Sequence, residues 1–187
     1  KAIQAIRYNT YFGGKFNKIA LPNNLFIHAT MNTSDQSLFP IDSAFKRRWD
    51  WEYVPIGFKD TEAADYQIKI GDENYSWKSF IEVVNEKVKT ITHSKDKKLG
   101  QFFIKSYDSS ISEKLFKAKV LFFIWNDILK DESQTDVNYF FRRKDPNNDV
   151  DPLPFVFSDL FLPESSELLK AFMRYLGISE TKKQEEV

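Results

Sequence analysis

The residues best suited to chemistry in this chain lie in one run, His28-Ala29-Thr30-Met31-Asn32-Thr33-Ser34-Asp35, where short polar side chains follow directly on an apolar segment. In open α/β sheets ligands are met outside the carboxyl ends of the strands, which is where such a run would face a phosphate or a catalytic water. An Asn amide both donates to a phosphate oxygen and accepts from a water, so Asn32 is a candidate water-positioner. An Asx-type turn that only satisfies backbone groups accounts for the same residues without chemistry. The second signal is the cluster Phe45-Lys46-Arg47-Arg48-Trp49. Guanidinium forks match phosphate oxygens in pairs. Positive charge brought to a transferring phosphoryl group is worth ~10³ to 10⁵ in rate, or ~4 to 7 kcal/mol of barrier. The competing account is pairing of these cations with a helix C-terminus, worth ~0.3 to 1 kcal/mol.

Other patterns carry less. Asp145, Asn147, Asp149 and Asp151 alternate as in a calcium loop, but Val150 stands at the position that needs Gly and Val156 at the one that needs Glu. His28 and His93 are far apart and have no matching ligand set, so no metal site is expected. Arg142-Arg143-Lys144, flanked by Phe140 and Phe141, fits either contact with a nucleic-acid backbone or a solvated loop.

The elements that must position these residues follow from periodicity. Leu25 to Thr30 reads as a short buried central strand between the turn-forming Pro22-Asn23-Asn24 and the polar run. Pro40 suits the start of a short helix, Ile41 to Arg47, and Trp49-Asp50-Trp51-Glu52-Tyr53 alternates with period two, as a half-exposed strand does. Tyr66, Ile68 and Ile70 alternate before the turn-rich Gly71-Asp72-Glu73-Asn74, which predicts a hairpin. Trp77, Ile81, Val84, Val88 and Ile91 fall on one helical stripe. A second helix opens with Ser110 and Glu113 in capping-box spacing and carries Leu115, Ala118, Leu121, Trp125 and Ile128 along one side. After the loop around Arg142 comes an aromatic segment, Phe155 to Phe161. The last helix runs from about Ser165 to Leu176, with Gly177 placed to end it, and the tail from Thr181 has little to bury.

Composition bounds the rest. The chain has 187 residues, 27 Lys+Arg against 27 Asp+Glu, and no Cys. That length buries a sizeable core without staples, and the lack of Cys removes zinc-ribbon, thiol-nucleophile and disulfide-scaffold readings. Zero formal net charge leaves any attraction to nucleic acid or an anionic membrane to a local patch. No run approaches the ~20 apolar residues of a membrane span and the first residues do not resemble a signal peptide, so the cytoplasm is the expected compartment. A first residue of Lys rather than Met suggests a piece of something longer.

The stretch Leu21-Pro22-Asn23-Asn24-Leu25-Phe26-Ile27-His28-Ala29-Thr30-Met31-Asn32-Thr33-Ser34-Asp35-Gln36-Ser37, with Ile41-Asp42-Ser43-Ala44-Phe45-Lys46-Arg47-Arg48-Trp49, closely resembles the AAA+ GTPase subunit of McrB-type modification-dependent restriction systems. That family's pattern is a strand, then Met-Asn-Thr-x-Asp-Arg-Ser, then Asp-x-Ala-Leu-Arg-Arg-Arg-Phe. The spacing between the two halves matches as well. The resemblance implies that Asn32 is the sensor-1 residue beside the γ-phosphate, and that Arg47 and Arg48 are arginine fingers reaching a neighbouring subunit's nucleotide. It further implies that Thr33 and Asp35 support the site and that Asp35 and Asp42 order the loop and the helix. Asp96-Lys97-Lys98-Leu99-Gly100-Gln101-Phe102-Phe103 is similar to the segment leading into sensor 2 of the lid, which makes Gly100 and Gln101 supports of the nucleotide site. Ser112 to Asp131 resembles a lid helix. Gln36 departs from the family's Arg and Lys46 from the first of its three Arg.

The α/β fold class implied is a partial AAA+ core joined to a mostly helical lid. Residues 1–58 would be the C-terminal part of the α/β subdomain, 59–180 the lid with a small hairpin, and 181–187 a frayed tail. No G-x-x-x-x-G-K-[ST] occurs in the chain, and no apolar strand ending in Asp-Glu precedes the sensor strand. The chain is therefore expected to be inactive by itself and to hold no nucleotide tightly. The full-length protein would use GTP, or ATP, with Mg2+. Its implied partners are its own copies in a hexameric ring, a McrC-like nuclease subunit, and DNA through other parts of the complex. The alternative is a non-catalytic DNA- or protein-binding module in which the basic-aromatic cluster makes the contact.

Overall fold

A computed structural model of the chain describes residues 24–30, 42–94, 97–144 and 151–181. The backbone divides into two units, Lys1–Leu38 and Phe39–Val187. In the first unit, 25–30 was expected as a buried central strand; it carries no strand and is exposed, Phe26 to 82% and Ile27 to 60%. A strand exists through its ladder of neighbours, and among the described residues none pairs with this segment.

The second unit begins, as described, with the short helix α1, Ser43–Lys46. The alternating stretch that follows, expected as a strand from Trp49 to Tyr53, is irregular and mostly exposed. It too lacks a pairing neighbour among the described residues, so period-two alternation had no sheet to serve.

From Phe58 onward the chain is densely packed. A 3₁₀ turn, Glu62–Asp65, leads into the hairpin of β1, Gln67–Ile70, and β2, Glu73–Ser76, with Ile68 opposite Tyr75 and Ile70 opposite Glu73. Gly71 opens the two-residue turn at φ 58°, a conformation that a residue with a Cβ adopts only at a cost. Tyr66, Ile68 and Ile70 are all buried, as their alternation predicts. A third strand, β3, Ser110–Ile111, joins β1 in parallel and gives the order β2-β1-β3.

The last residue of β2 is also the N-cap of the long helix α2, Trp77–Thr92: the Ser76 hydroxyl accepts from Ser79 N at 3.2 Å. All five residues of the expected stripe are buried, joined by Phe80 and Asn85. The next helix, α3, starts at Glu113–Leu115 and continues through two π-helical segments, Phe116–Leu121 and Ile124–Ile128. Its start differs from the expected one. Ser112, not Ser110, is the cap, because Ser110 is held in β3 opposite Gln67. Its buried face differs too, being Phe116, Val120, Leu121, Ile124 and Ile128. Bonds from i to i+5 widen the turn and rotate an α-periodic stripe out of register, leaving Ala118 exposed.

Helix α4, Gln134–Phe140, was not foreseen; Ser133 caps it by accepting from Asp136 N. The expected loop at Arg142 is instead β4, Arg142–Arg143, antiparallel to β5, Leu153–Pro154. A 3₁₀ turn, Phe157–Phe161, precedes α5, Ser165–Tyr175. Gly177, at φ 73°, ends α5 as expected. The N–H of Gly177 bonds Arg174 O and that of Ile178 bonds Met173 O, both at 3.0 Å, the two bonds of a Schellman cap. The chain then returns to the hairpin, where Thr181 N donates to Asn74 O. Its further tail lies outside the described residues.

Two aromatic clusters run through a largely aliphatic core. Trp77, Phe80 and Phe116 stack and abut under the hairpin, and Phe140, Phe141, Phe155 and Phe172 interlock beneath α5.

Candidate functional site

The arginines sit at the end of a helix too short to be held by its own bonds, and local side chains hold it instead. Asp42 caps α1, its Oδ1 accepting from Ala44 N at 3.2 Å. The rings of Phe45 and Trp49 lie 5.7 Å apart, and Trp51 Nε1 donates back to Lys46 O at 2.8 Å. Asp42, implied as the residue that orders this helix, is thus seen doing so.

Arg47 and Arg48 follow at the C-terminal end, and both are exposed. Their roles separate. Arg48 Nη1 donates to Ala44 O at 3.1 Å, which is the cation-to-carbonyl pairing of a helix terminus. For Arg47 the bond shown is made by the backbone, from its N–H to Ser43 O. Among the described residues neither guanidinium is ion-paired with a carboxylate. Asn32, Thr33 and Asp35 lie outside the described residues.

Gly100 and Gln101 occupy a loop fastened to α2 by two buried polar anchors. The Asn85 amide bonds both backbone polar groups of one residue, Nδ2 donating to Leu99 O at 2.9 Å and Oδ1 accepting from Leu99 N at 2.8 Å. Trp77 Nε1 donates to Gln101 O at 2.9 Å. The backbone path of the loop is therefore set by the side chains of the preceding helix. No hydrogen bond or ion pair shown among the described residues joins Gly100 or Gln101 to Arg47 or Arg48.

Beside this loop runs an open groove of about 630 Å³ between the entering stretch 56–59 and α2. Lys59, Lys78 and Lys98 line it with Glu82, Glu86 and Asn85. Its volume is in the range of small-molecule sites. Sequence reasoning missed this groove, because its three lysines lie on three separate segments and form no local pattern. Among the described residues no group of His, Cys, Asp or Glu could hold a metal ion, and no helix is long and apolar enough to cross a membrane.

No protein-family model matches the chain, and no solved structure matches it. The chain is similar to the Type II restriction enzyme BsuMI component YdiS of Bacillus subtilis (strain 168), 33% identical over 128 residues, or 66% of this chain. It spans 37% of that protein's length.

Proposed function

We propose that the chain is part of an AAA+ nucleoside-triphosphatase motor subunit, a GTPase, of a DNA restriction system. Its similarity to a restriction-enzyme component supports the system, and the motif pattern with its spacing supports the motor. The single observation that carries the reading is the presentation of Arg47 and Arg48: a capped, aromatic-braced turn holds two adjacent guanidiniums in solvent without carboxylate partners among the described residues.

In this reading Asn32 orients the attacking water in its own subunit's site, helped by Thr33 and Asp35. Arg47 and Arg48 stabilise charge on the γ-phosphate bound by the next copy in a hexameric ring. The helical body from Phe58 is the lid, and the loop at Gly100 and Gln101 borders the nucleotide. The phosphate-gripping loop and the Mg2+ carboxylate belong to other parts of the full-length protein, as do the contacts with a McrC-like nuclease subunit. Hydrolysis would drive DNA translocation and activate that nuclease.

The test is GTP and ATP turnover by the full-length protein and by its Asn32→Ala, Arg47→Ala and Arg48→Ala variants. A fall of ~10³-fold or more on removing Arg47 is expected. Unchanged turnover in both arginine variants would overturn the finger assignment.

A further inference from the structure

Away from the arginine turn, α2, β4 and α5 bring cations together around the Tyr139 ring of α4 and the Tyr175 ring of α5. The Lys87 ammonium of α2 sits between two rings, 4.8 Å from the centre of Tyr139 on α4 and 4.5 Å from that of Tyr175 on α5. It donates to Tyr175 Oη at 3.2 Å. The Arg142 guanidinium of β4 lies 5.6 Å from the same Tyr139 ring, steadied by Nε donating to Asn138 O. Arg143 and Lys144 follow in solvent, and Arg174 Nε reaches Lys144 O at 3.5 Å.

None of these five cations is ion-paired among the described residues, although six ion pairs engage lysines elsewhere in them. Asp145 and Asp149 lie outside the described residues. Burial pushes the Lys87 ammonium down from its ordinary value and the Arg142 charge adds to that, against the opposing pull of Tyr139. Two like charges held around one ring are an arrangement that an anion would relieve.

We propose that Lys87, Arg142, Arg143, Lys144 and Arg174 form a contact surface for the phosphodiester backbone of duplex DNA. Base stacking is not the mode. The Tyr139 and Tyr175 rings are already engaged by Lys87 and Arg142, and the Tyr175 hydroxyl is spent on Tyr139 O at 2.7 Å. With the Tyr139 and Tyr175 rings engaged, what the surface offers is charge, held in place at Lys87 and Arg142 and presented in solvent at Arg143 and Lys144. The contact is therefore sequence-independent, a grip that does not depend on the bases beneath it. It is separate from the nucleotide reading and survives the failure of that reading.

The test is binding of the 187-residue chain to a labelled 20-base-pair duplex between 50 and 200 mM salt. With four or five phosphates neutralised, affinity should fall roughly 100- to 500-fold across that range. Arg143→Glu with Lys144→Glu, both exposed, should weaken binding at least about tenfold and flatten the slope by about two. Lys114→Glu with Lys130→Glu, on and after α3, which contributes nothing to the surface, should change binding far less. Three results would overturn the proposal: no binding at 50 mM salt, equal losses in the two variants, or equally strong binding to phosphatidylserine vesicles. Thermal melts of each variant separate lost contact from lost fold.

Discussion

The stretch 42–57 and the body from Phe58 to Ile178 spend their aromatic residues in opposite ways. In the first, Tyr53 is 82% and Val54 79% exposed, and the rings of Phe45, Trp49 and Trp51 do no more than brace one four-residue helix. In the second, Trp77, Phe80, Phe116, Phe140, Phe141 and Phe172 are sealed and touch one another. The stretch that carries the arginines has little packing of its own, whereas the body fixes its backbone many times over. Segments that must meet a ligand or a second subunit come from the low-stability end of a structure. On the finger assignment proposed above, the difference implies that function and stability can be perturbed independently.

The sharpest break of that independence is the largest expected effect. Arg47→Ala in the full-length protein should cost ~10³ to 10⁵ in turnover, or ~4 to 7 kcal/mol of barrier, while leaving the melting temperature of the body unchanged. Arg48→Ala should cost less than Arg47→Ala, because its guanidinium is partly committed to Ala44 O. Steady-state turnover beside a thermal melt reads both quantities, and a melt that falls with Arg47 would erase the distinction.

The converse substitution is Trp77→Ala. Trp77 is fully buried, stacks on Phe80 with ring centres 5.8 Å apart and holds Gln101 O through its indole N–H. Truncation should cost about 3 to 5 kcal/mol, measured by denaturant unfolding of the chain. A loss under about 1 kcal/mol would mean that the body is not packed as described.

What the sequence made legible follows the same division. The hairpin, the stripe of α2 and the Gly177 stop of α5 were readable because each depends on neighbours within a few residues. The strands expected at 25–30 and 49–53 were not realised among the described residues, because a strand is completed by a partner that local alternation cannot name. The start of α3 was misplaced for a related reason: Ser110 had a better use, pairing with Gln67 more than forty residues away. The π segments hid its buried face, since period 3.6 was the wrong ruler. At the site, a short helix ahead of Arg47 and Arg48 was legible from local pattern, but it was placed from Ile41, whereas Asp42 caps a helix that starts at Ser43; the ordering role of Asp42 came from the family resemblance alone. The groove of Lys59, Lys78 and Lys98 and the anchoring of Leu99 by Asn85 were not, because each joins segments distant in the chain.

Asn85 tests whether that long-range anchoring matters to the body. Replacing it by Ala leaves Leu99 N and Leu99 O buried without their partners, which should cost about 1 to 3 kcal/mol. Hydrogen exchange should place the loss first in the loop 97–103. Protection there equal to the parent chain would show that the loop is held by packing alone.

The smallest effect belongs to Glu113, which ties the hairpin turn, α3 and α5 together from the half-exposed rim of the body. One oxygen accepts from Ser166 Oγ at 2.7 Å and from Gly71 N at 3.2 Å, and the other accepts from Lys117 Nζ at 3.0 Å. Burial works to raise its pKa, but the bonds from Ser166 and Lys117 outweigh it and hold the carboxyl below the ordinary 4.5. The folded state therefore binds the proton less readily than the unfolded chain. Its stabilisation is present in full above pH 4.5 and drains away as pH falls through the lower folded value. Glu113→Gln keeps an acceptor for Ser166 or Gly71 but gives up the charge opposite Lys117, so about 0.5 to 1 kcal/mol should be lost at pH 7. Melting curves of the two proteins should converge as the pH drops below 4.5. A gap that stays constant into acid would assign the role of Glu113 to packing rather than charge.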